Sequence, residues 1–318
     1  MRGGFVSKLD KEKFPITLEV PSPRGGNVER YMEEIKSYDF LDDVIGLNVC
    51  NNPVGLVMID PAPYAGRILK EVGVEPITHL TCRDSTLSGL QRWLFGAQSL
   101  GIKTILAMTG DYGVGDYPAE EKVDHINSLE LITGIKQYLN QGKLMPELSA
   151  APFRQRNRYL KETEDIEEDT DFQVGGVVIS HRSNEAKYAT KKVEAGADFF
   201  QTQICYDAEE MLDFIQRFED SSEKNIPILV GTTPFSSKAQ IKSLQEAVPQ
   251  VTVPPSTIKR LSSAEDTAEA SVRSTIEFYQ DILDGIQDRG LNTKVGAHIL
   301  PVKHNGVSKK IIKRLSDL

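Results

Sequence analysis

Cysteine, tryptophan and histidine are scarce in this chain of 318 residues, which holds three, one and five of them respectively. Cys50, Cys82 and Cys205 form no CxxC pair, so a disulfide framework is not indicated and the thiols read as reduced cytosolic groups. No apolar run approaches the roughly 18 residues of a membrane-spanning helix, and no apolar secretion core opens the chain. Positive charge is not in excess either. The 37 basic and 46 acidic residues leave a net charge of −9, which argues against nucleic acid or an anionic membrane as the main partner. There is no GxSxG elbow, and the glycines of GDYGVGDYP lack the GxxxxGK(S/T) spacing of a phosphate loop. A soluble cytoplasmic protein is expected, and an apolar fraction of 39% suffices for a sizeable core.

What is present is an alternation of short apolar runs with longer amphipathic ones. Strands are expected near 15–20, 44–49, 77–82, 104–109, 173–179, 199–205, 226–232 and 297–302, with helical stretches between them. Asn27 is a plausible cap for NVERYMEEIKSY, Ser85 can open STLSGLQRWLFGAQSLG, and Gly196 ends EAKYATKKVEAG. Eight strands close a ring, so the expected fold is α/β, a (β/α)8 TIM barrel formed by residues 1–318 as a single domain. Residues 1–13 read as polar and frayed, and 141–171 as an insertion between strands four and five. The stretch between strands seven and eight carries extra helices, expected beside the mouth as a lid or an oligomer surface.

The strands end in polar groups, and in such a barrel the carboxyl ends of the strands carry the chemistry. Glu19 closes the first run, where burying a carboxylate is costly without a use or a partner. Held at a rim stiffened by Pro21 and Pro23, it is either a general acid with a raised pKa or half of a salt bridge to Arg24 or Arg83. In HLTCRD, His79, Thr81 and Arg83 share one strand face; His79 is either a contact for an anionic or flavin edge or a satisfied core imidazole. Thr109 and Gly110 precede Asp111, which can steady a cationic intermediate at the mouth or cap the next helix. On the far side, Gln203 can donate and accept at once, as a heteroaromatic amide edge demands. His181 and Arg182 on the fifth loop are candidates for pyrophosphate contact, and Lys192 for a phosphate or ribose. The three cysteines and His79 contain no short ligand pair, so no metal is expected.

Taken in order, the strand-one Glu with its proline pair, THLTCRD, GIKTILAMTGD, KKVEAGADFFQTQ followed by Tyr206 and Asp207, and the closing GAHILPVKHN resemble the methylenetetrahydrofolate reductase family over nearly the whole chain. The resemblance implies FAD across the carboxyl ends of the strands, reduced by NADH or NADPH, and a folate that then stacks on the same flavin face. Carried onto this chain, Glu19 resembles the acid that opens the five-membered imidazolidine ring of 5,10-methylenetetrahydrofolate to an iminium. Asp111 resembles the carboxylate that steadies positive charge, and Gln203 the residue that orients the pterin. His79, Thr109, His181 and Lys192 look like flavin contacts, with Thr81, Gly110 and Arg182 beside them. The chain departs from the pattern at VVISHRSNE, VGTTPF and LPVKHN, in regions that hold cofactor and nicotinamide. Those departures point to a non-standard electron donor or a partner subunit, and an oligomer is expected. The alternatives are a pterin-binding methyltransferase component working with a corrinoid protein, and a non-catalytic partner in a one-carbon assembly.

Overall fold

Strands apolar on both faces must be covered on both, and a parallel barrel inside a shell of helices does so. In a computed structural model, which describes residues 4–111, 123, 125–146, 165–248, 251, 253–301 and 306–318, eight parallel strands close such a barrel. They are β1 (Ile16–Glu19), β2 (Gly46–Val49), β3 (Pro76–Thr81), β4 (Thr104–Met108), β5 (Gln173–Val178), β6 (Phe199–Ile204), β7 (Ile228–Thr232) and β8 (Val295–Ile299). They follow one another around the ring in chain order, and β1 pairs with both β2 and β8. Helices α2 (Glu29–Lys36), α3 (Pro61–Glu71), α4 (Leu87–Ser99), α5 (Ser128–Gln137), α6 (Glu185–Glu194) and α7 (Ala208–Ser221) connect the first seven strands. Between β7 and β8 come α8 (Lys238–Ala247), α9 (Pro255–Ser263) and α10 (Thr267–Arg289), the extra helices that the sequence announces; α11 (Gly306–Leu315) follows β8.

Alternation along each strand separates the bore from the shell. On β6, Phe200 points outward and meets Phe218 of α7 edge-on at 5.7 Å, whereas Phe199 points into the bore. There Phe199 packs with Ile77, Leu106 and Leu229, and with Phe5 and Leu9 of a helix ahead of the first strand, α1 (Phe5–Lys11). The Phe5 and Phe199 rings stand edge to face at 5.0 Å. The expectation of a frayed N-terminus is therefore corrected for residues 5–11: α1 plugs the bottom of the barrel, and Phe5 and Leu9, two of its three apolar residues, are fully buried.

Local signals differ in detail from the sequence reading. Thr86, not Ser85, caps α4, accepting the Gly89 N–H at 3.1 Å, and Asn27 lies one residue ahead of the α2 N-cap. Gly196 adopts φ +107° directly after α6, as the helix stop requires. Residues 147–164 of the expected insertion lie outside the described residues; Lys143 and Asp165 on its flanks form an antiparallel bridge. Helices α8 to α10 have their own apolar cluster, including Ile241, Leu261 and Ala270, which reaches Tyr206 and Phe235 past the tips of β6 and β7. The extra helices thus stand beside the mouth.

Candidate active site at the barrel mouth

Because all eight strands run one way, every strand's carboxyl end opens on the same rim. Glu19 ends β1, half-buried, and Cys50 lies one residue beyond β2. The Cys50 thiol hydrogen-bonds the Glu19 carboxyl. Burial is the main cause that raises the Glu19 pKa above its ordinary 4.5; the Cys50 hydrogen bond opposes it and the Asp111 charge adds to it. Burial likewise pushes the Cys50 thiol up. Among the described residues named as shifting Glu19 there is no cation, and Arg83 has partners on its own side of the rim. Its guanidinium donates to Asp84 at 2.7 and 2.8 Å and to the Asp111 carbonyl at 2.5 Å.

Asp111 reaches the rim through a tight bend. Gly110 has φ +106°, a region that L side chains avoid, and a Cβ there would lie 2.9 Å from the Cβ of Arg83. The Asp111 carboxylate accepts the Val54 N–H at 2.7 Å. It caps no described helix: α5 is capped by Asn127 and Glu130 in a reciprocal box. The loop it holds is itself strained, with left-handed backbone at Asn52 (φ 45°) and at the β-branched Val54 (φ 50°). Thr81 and Thr109 complete this side, the latter donating to Ser128 Oγ at 3.4 Å.

Beneath the rim lies a buried polar layer that the sequence reading did not anticipate beyond His79. His79 Nε2 pairs with Asn48 Oδ1 at 3.0 Å, Asn48 Nδ2 with His298 Nδ1 at 3.2 Å, and Thr17 Oγ1 with the same Nδ1 at 3.2 Å. Burial pushes both imidazoles down to about 3, so they are neutral at physiological pH. His79 therefore offers an uncharged ring edge rather than a cation. Gln201, also in this layer on β6, is buried, with no partner for either amide atom among the described residues. The signal available in sequence was alternation: Thr17 shares a face with Glu19, and Asn48 with Cys50.

The remaining expected residues lie elsewhere on the rim. Gln203, half-buried on β6, is opposite β2 in the ring. His181 and Arg182 are exposed on the loop after β5. Lys192 is buried, with Nζ donating to the Val177 carbonyl at 2.5 Å and standing 3.8 Å from the Glu185 carboxylate. Burial lowers its pKa, Glu185 opposes that and Arg182 adds to it. Cys82 and Cys205 are buried apart from this cluster, and among the described residues no group of three His, Cys, Asp or Glu side chains is placed to hold a metal ion. No described helix is long and apolar enough to cross a membrane.

A closed parallel ring with acids, an amide and hydroxyls at the carboxyl ends of its strands defines a (β/α)8 barrel of the enzyme type, with its candidate site at the mouth. The chain belongs to the methylenetetrahydrofolate reductase family, whose model matches residues 5–316. Among curated relatives, methylenetetrahydrofolate reductase 2 of Schizosaccharomyces pombe is 25% identical over 233 residues, covering 66% of this chain and 32% of that protein. The probable methylenetetrahydrofolate reductase (NADPH) of Caenorhabditis elegans is 23% identical over 316 residues, covering 96% of this chain and 43% of its own length. The chain thus matches less than half of either relative. Among solved structures, an uncharacterised Clostridium thermocellum protein that binds two copies of 5-methyl-5,6,7,8-tetrahydrofolic acid has the same fold, with a TM-score of 0.67 at 18% identity, covering 99% of this chain and 98% of that one.

Proposed function

We propose that this chain, acting as a single barrel domain, reduces 5,10-methylenetetrahydrofolate to 5-methyltetrahydrofolate at the barrel mouth with FAD. The observation that carries the reading is the pair of rim carboxyls in a member of this family. Burial raises the Glu19 pKa above its ordinary 4.5, and the Asp111 charge, within electrostatic reach, adds to that. The Clostridium thermocellum protein of the same fold binds 5-methyltetrahydrofolic acid, the product of this reaction.

The residues present fit FAD. Lys192 is partnered by Glu185, while Arg182 nearby, exposed on the loop after β5, can reach a diphosphate. His181 beside it lines an open groove of about 530 Å³ with Ser180, Glu210 and Arg217. Thr81 and Thr109 offer hydroxyls to a ring edge, with neutral His79 below them. When bound, FAD supplies hydride chemistry that no side chain offers. The donor that recharges it is NADH, NADPH or an electron-transfer partner.

The chain's own residues then handle protons and charge. The Glu19 carboxyl gives its proton to N10 of the folate as the bond from N10 to the methylene carbon breaks, leaving a cationic iminium at N5. The exposed Asp111 carboxylate at the rim steadies that positive charge. Hydride addition to the iminium carbon completes the methyl group, and Glu19 regains a proton from solvent. Gln203 orients the pterin from the opposite side of the ring.

A second reading is a pterin-binding component that passes the methyl group to a corrinoid protein. It is favoured by Lys192, whose ammonium is turned inward onto Val177 and Glu185 rather than outward toward a phosphate. An absorbance spectrum of the purified protein separates the two. A yellow preparation bleached anaerobically by NADH or NADPH supports the reductase; a colourless protein that binds 5-methyltetrahydrofolate refutes it in favour of the methyl-transfer component.

A further inference from the structure

The ladder between β6 and β7 runs in register through Phe200 with Ile228 and Gln201 with Leu229, then resumes at Ile204 with Gly231. Strand β6 therefore carries one extra residue, a bulge at Thr202 and Gln203. A bulge leaves a ladder donor without its carbonyl, and here a side chain supplies the acceptor. Thr202 Oγ1 accepts the Gly231 N–H at 2.8 Å and donates its own proton to the Gln203 carbonyl at 2.7 Å. The opposing position tolerates no side chain, because a Cβ on Gly231 would lie 2.8 Å from the Thr202 carbonyl oxygen and 3.3 Å from that of Gln203. Past the bulge, Cys205 N–H returns to the Gly231 carbonyl at 2.8 Å. The Gln203 side chain is caught in the same device, since its Oε1 accepts the Ile204 N–H at 3.0 Å. That bond assigns the oxygen end of the amide to Ile204 and leaves Nε2 as the end that can donate to a ligand.

We infer that Thr202 is a positioning residue: through the β6 bulge it orients Gln203 to meet an acceptor, a carbonyl or unprotonated ring nitrogen, on the edge of a bound pterin. This rests on the functional reading above and narrows the expectation that Gln203 donates and accepts at once.

The test is a double-mutant cycle on the full chain, reading 5-methyltetrahydrofolate affinity by calorimetry. Thr202→Val keeps the shape and removes both hydroxyl bonds; Thr202→Ser keeps the hydroxyl. Thr202→Val is expected to weaken binding about tenfold, the scale of one displaced hydrogen bond, with Thr202→Ser within about threefold of the parent. In a Gln203→Ala background, Thr202→Val is expected to add no further loss. Hydrogen exchange at the Gly231 and Ile204 amides, expected to lose protection in Thr202→Val alone, and a thermal melt show that the variant is folded. Undiminished binding by Thr202→Val, or an equal loss with and without Gln203, overturns the inference while leaving the functional reading intact. A parent chain that binds no 5-methyltetrahydrofolate refutes that reading, and with it any role of the bulge toward a pterin.

Discussion

Glu19→Gln keeps the size of the side chain and one acceptor oxygen while removing the titratable proton, so activity and stability are expected to move in opposite directions. Burial, with Asp111 adding, raises the folded pKa of Glu19 above the ordinary 4.5. The native state therefore binds this proton more tightly than the unfolded chain does. The stability linked to it is complete below about pH 4.5 and is lost as pH rises through the raised folded value. Each unit of elevation corresponds to about 1.36 kcal/mol. Glutamine pays no ionisation penalty, and a gain of about 1 kcal/mol raises Tm by roughly 2 °C in a chain of this size. Loss of the general acid slows the folate step by roughly 100-fold, equivalent to about 2.7 kcal/mol of barrier. Thermal melts from roughly pH 5 to roughly pH 9, with the two half-reactions followed on the same preparations, read both effects. Glu19→Gln is expected to melt above the parent at the alkaline end, to converge with it at the acid end, and to accept electrons from the donor almost unimpaired. Identical pH dependence of Tm in both proteins, or an undiminished folate half-reaction, refutes the proposed protonation of Glu19.

Three further outcomes are expected. Gly110→Ala forces a side chain onto φ +106°, with its Cβ 2.9 Å from that of Arg83; it should cost about 1–3 kcal/mol in urea melts and lower activity by displacing Asp111, and a neutral result would contradict the bend as drawn. His79 and His298, held at about 3 against an ordinary 6.5, stay neutral in the native state while the unfolded chain takes up protons. Stability should therefore fall as pH drops from 6.5 toward 3, by about 1.36 kcal/mol per pH unit for each imidazole; His79→Gln with His298→Gln should flatten that slope in urea melts, and an unchanged slope would show the imidazoles are not buried neutral. Gln201→Leu removes two amide atoms that have no partner among the described residues, so Tm should hold or rise; a loss of more than about 2 kcal/mol would mean the amide is bonded in the native protein.

The ring of eight strands was legible because a parallel strand covered on both faces reads as an unbroken apolar run, as ILVGT in β7 and TILAM in β4 do. The last strand was expected two residues late. Its start at Val295 is set by pairing with Ile228 on β7, a partner that local pattern does not name. Helix α1 was missed for a similar reason: seven residues with three apolar side chains are too short a stretch for an amphipathic signal, and Phe5 and Leu9 acquire a role only when the bore closes above them. At the mouth, Glu19 and Asp111 stood out as acids directly after apolar runs. The polar layer of Thr17, Asn48, Gln201 and His298 did not, because alternation assigns residues to a common face without saying whether that face meets the bore or the helices. Neither could sequence reveal the bulge at Thr202, since it depends on a register shift against Gly231 on the next strand.

The most direct test of the central claim is a single turnover under anaerobic conditions: the purified protein, loaded with FAD and reduced, is mixed with 5,10-methylenetetrahydrofolate while flavin absorbance and folate products are followed. Reappearance of oxidised flavin with one 5-methyltetrahydrofolate formed per flavin is the predicted result. Flavin that stays reduced in the presence of excess folate, or a chain that takes up no FAD at all, would contradict the account.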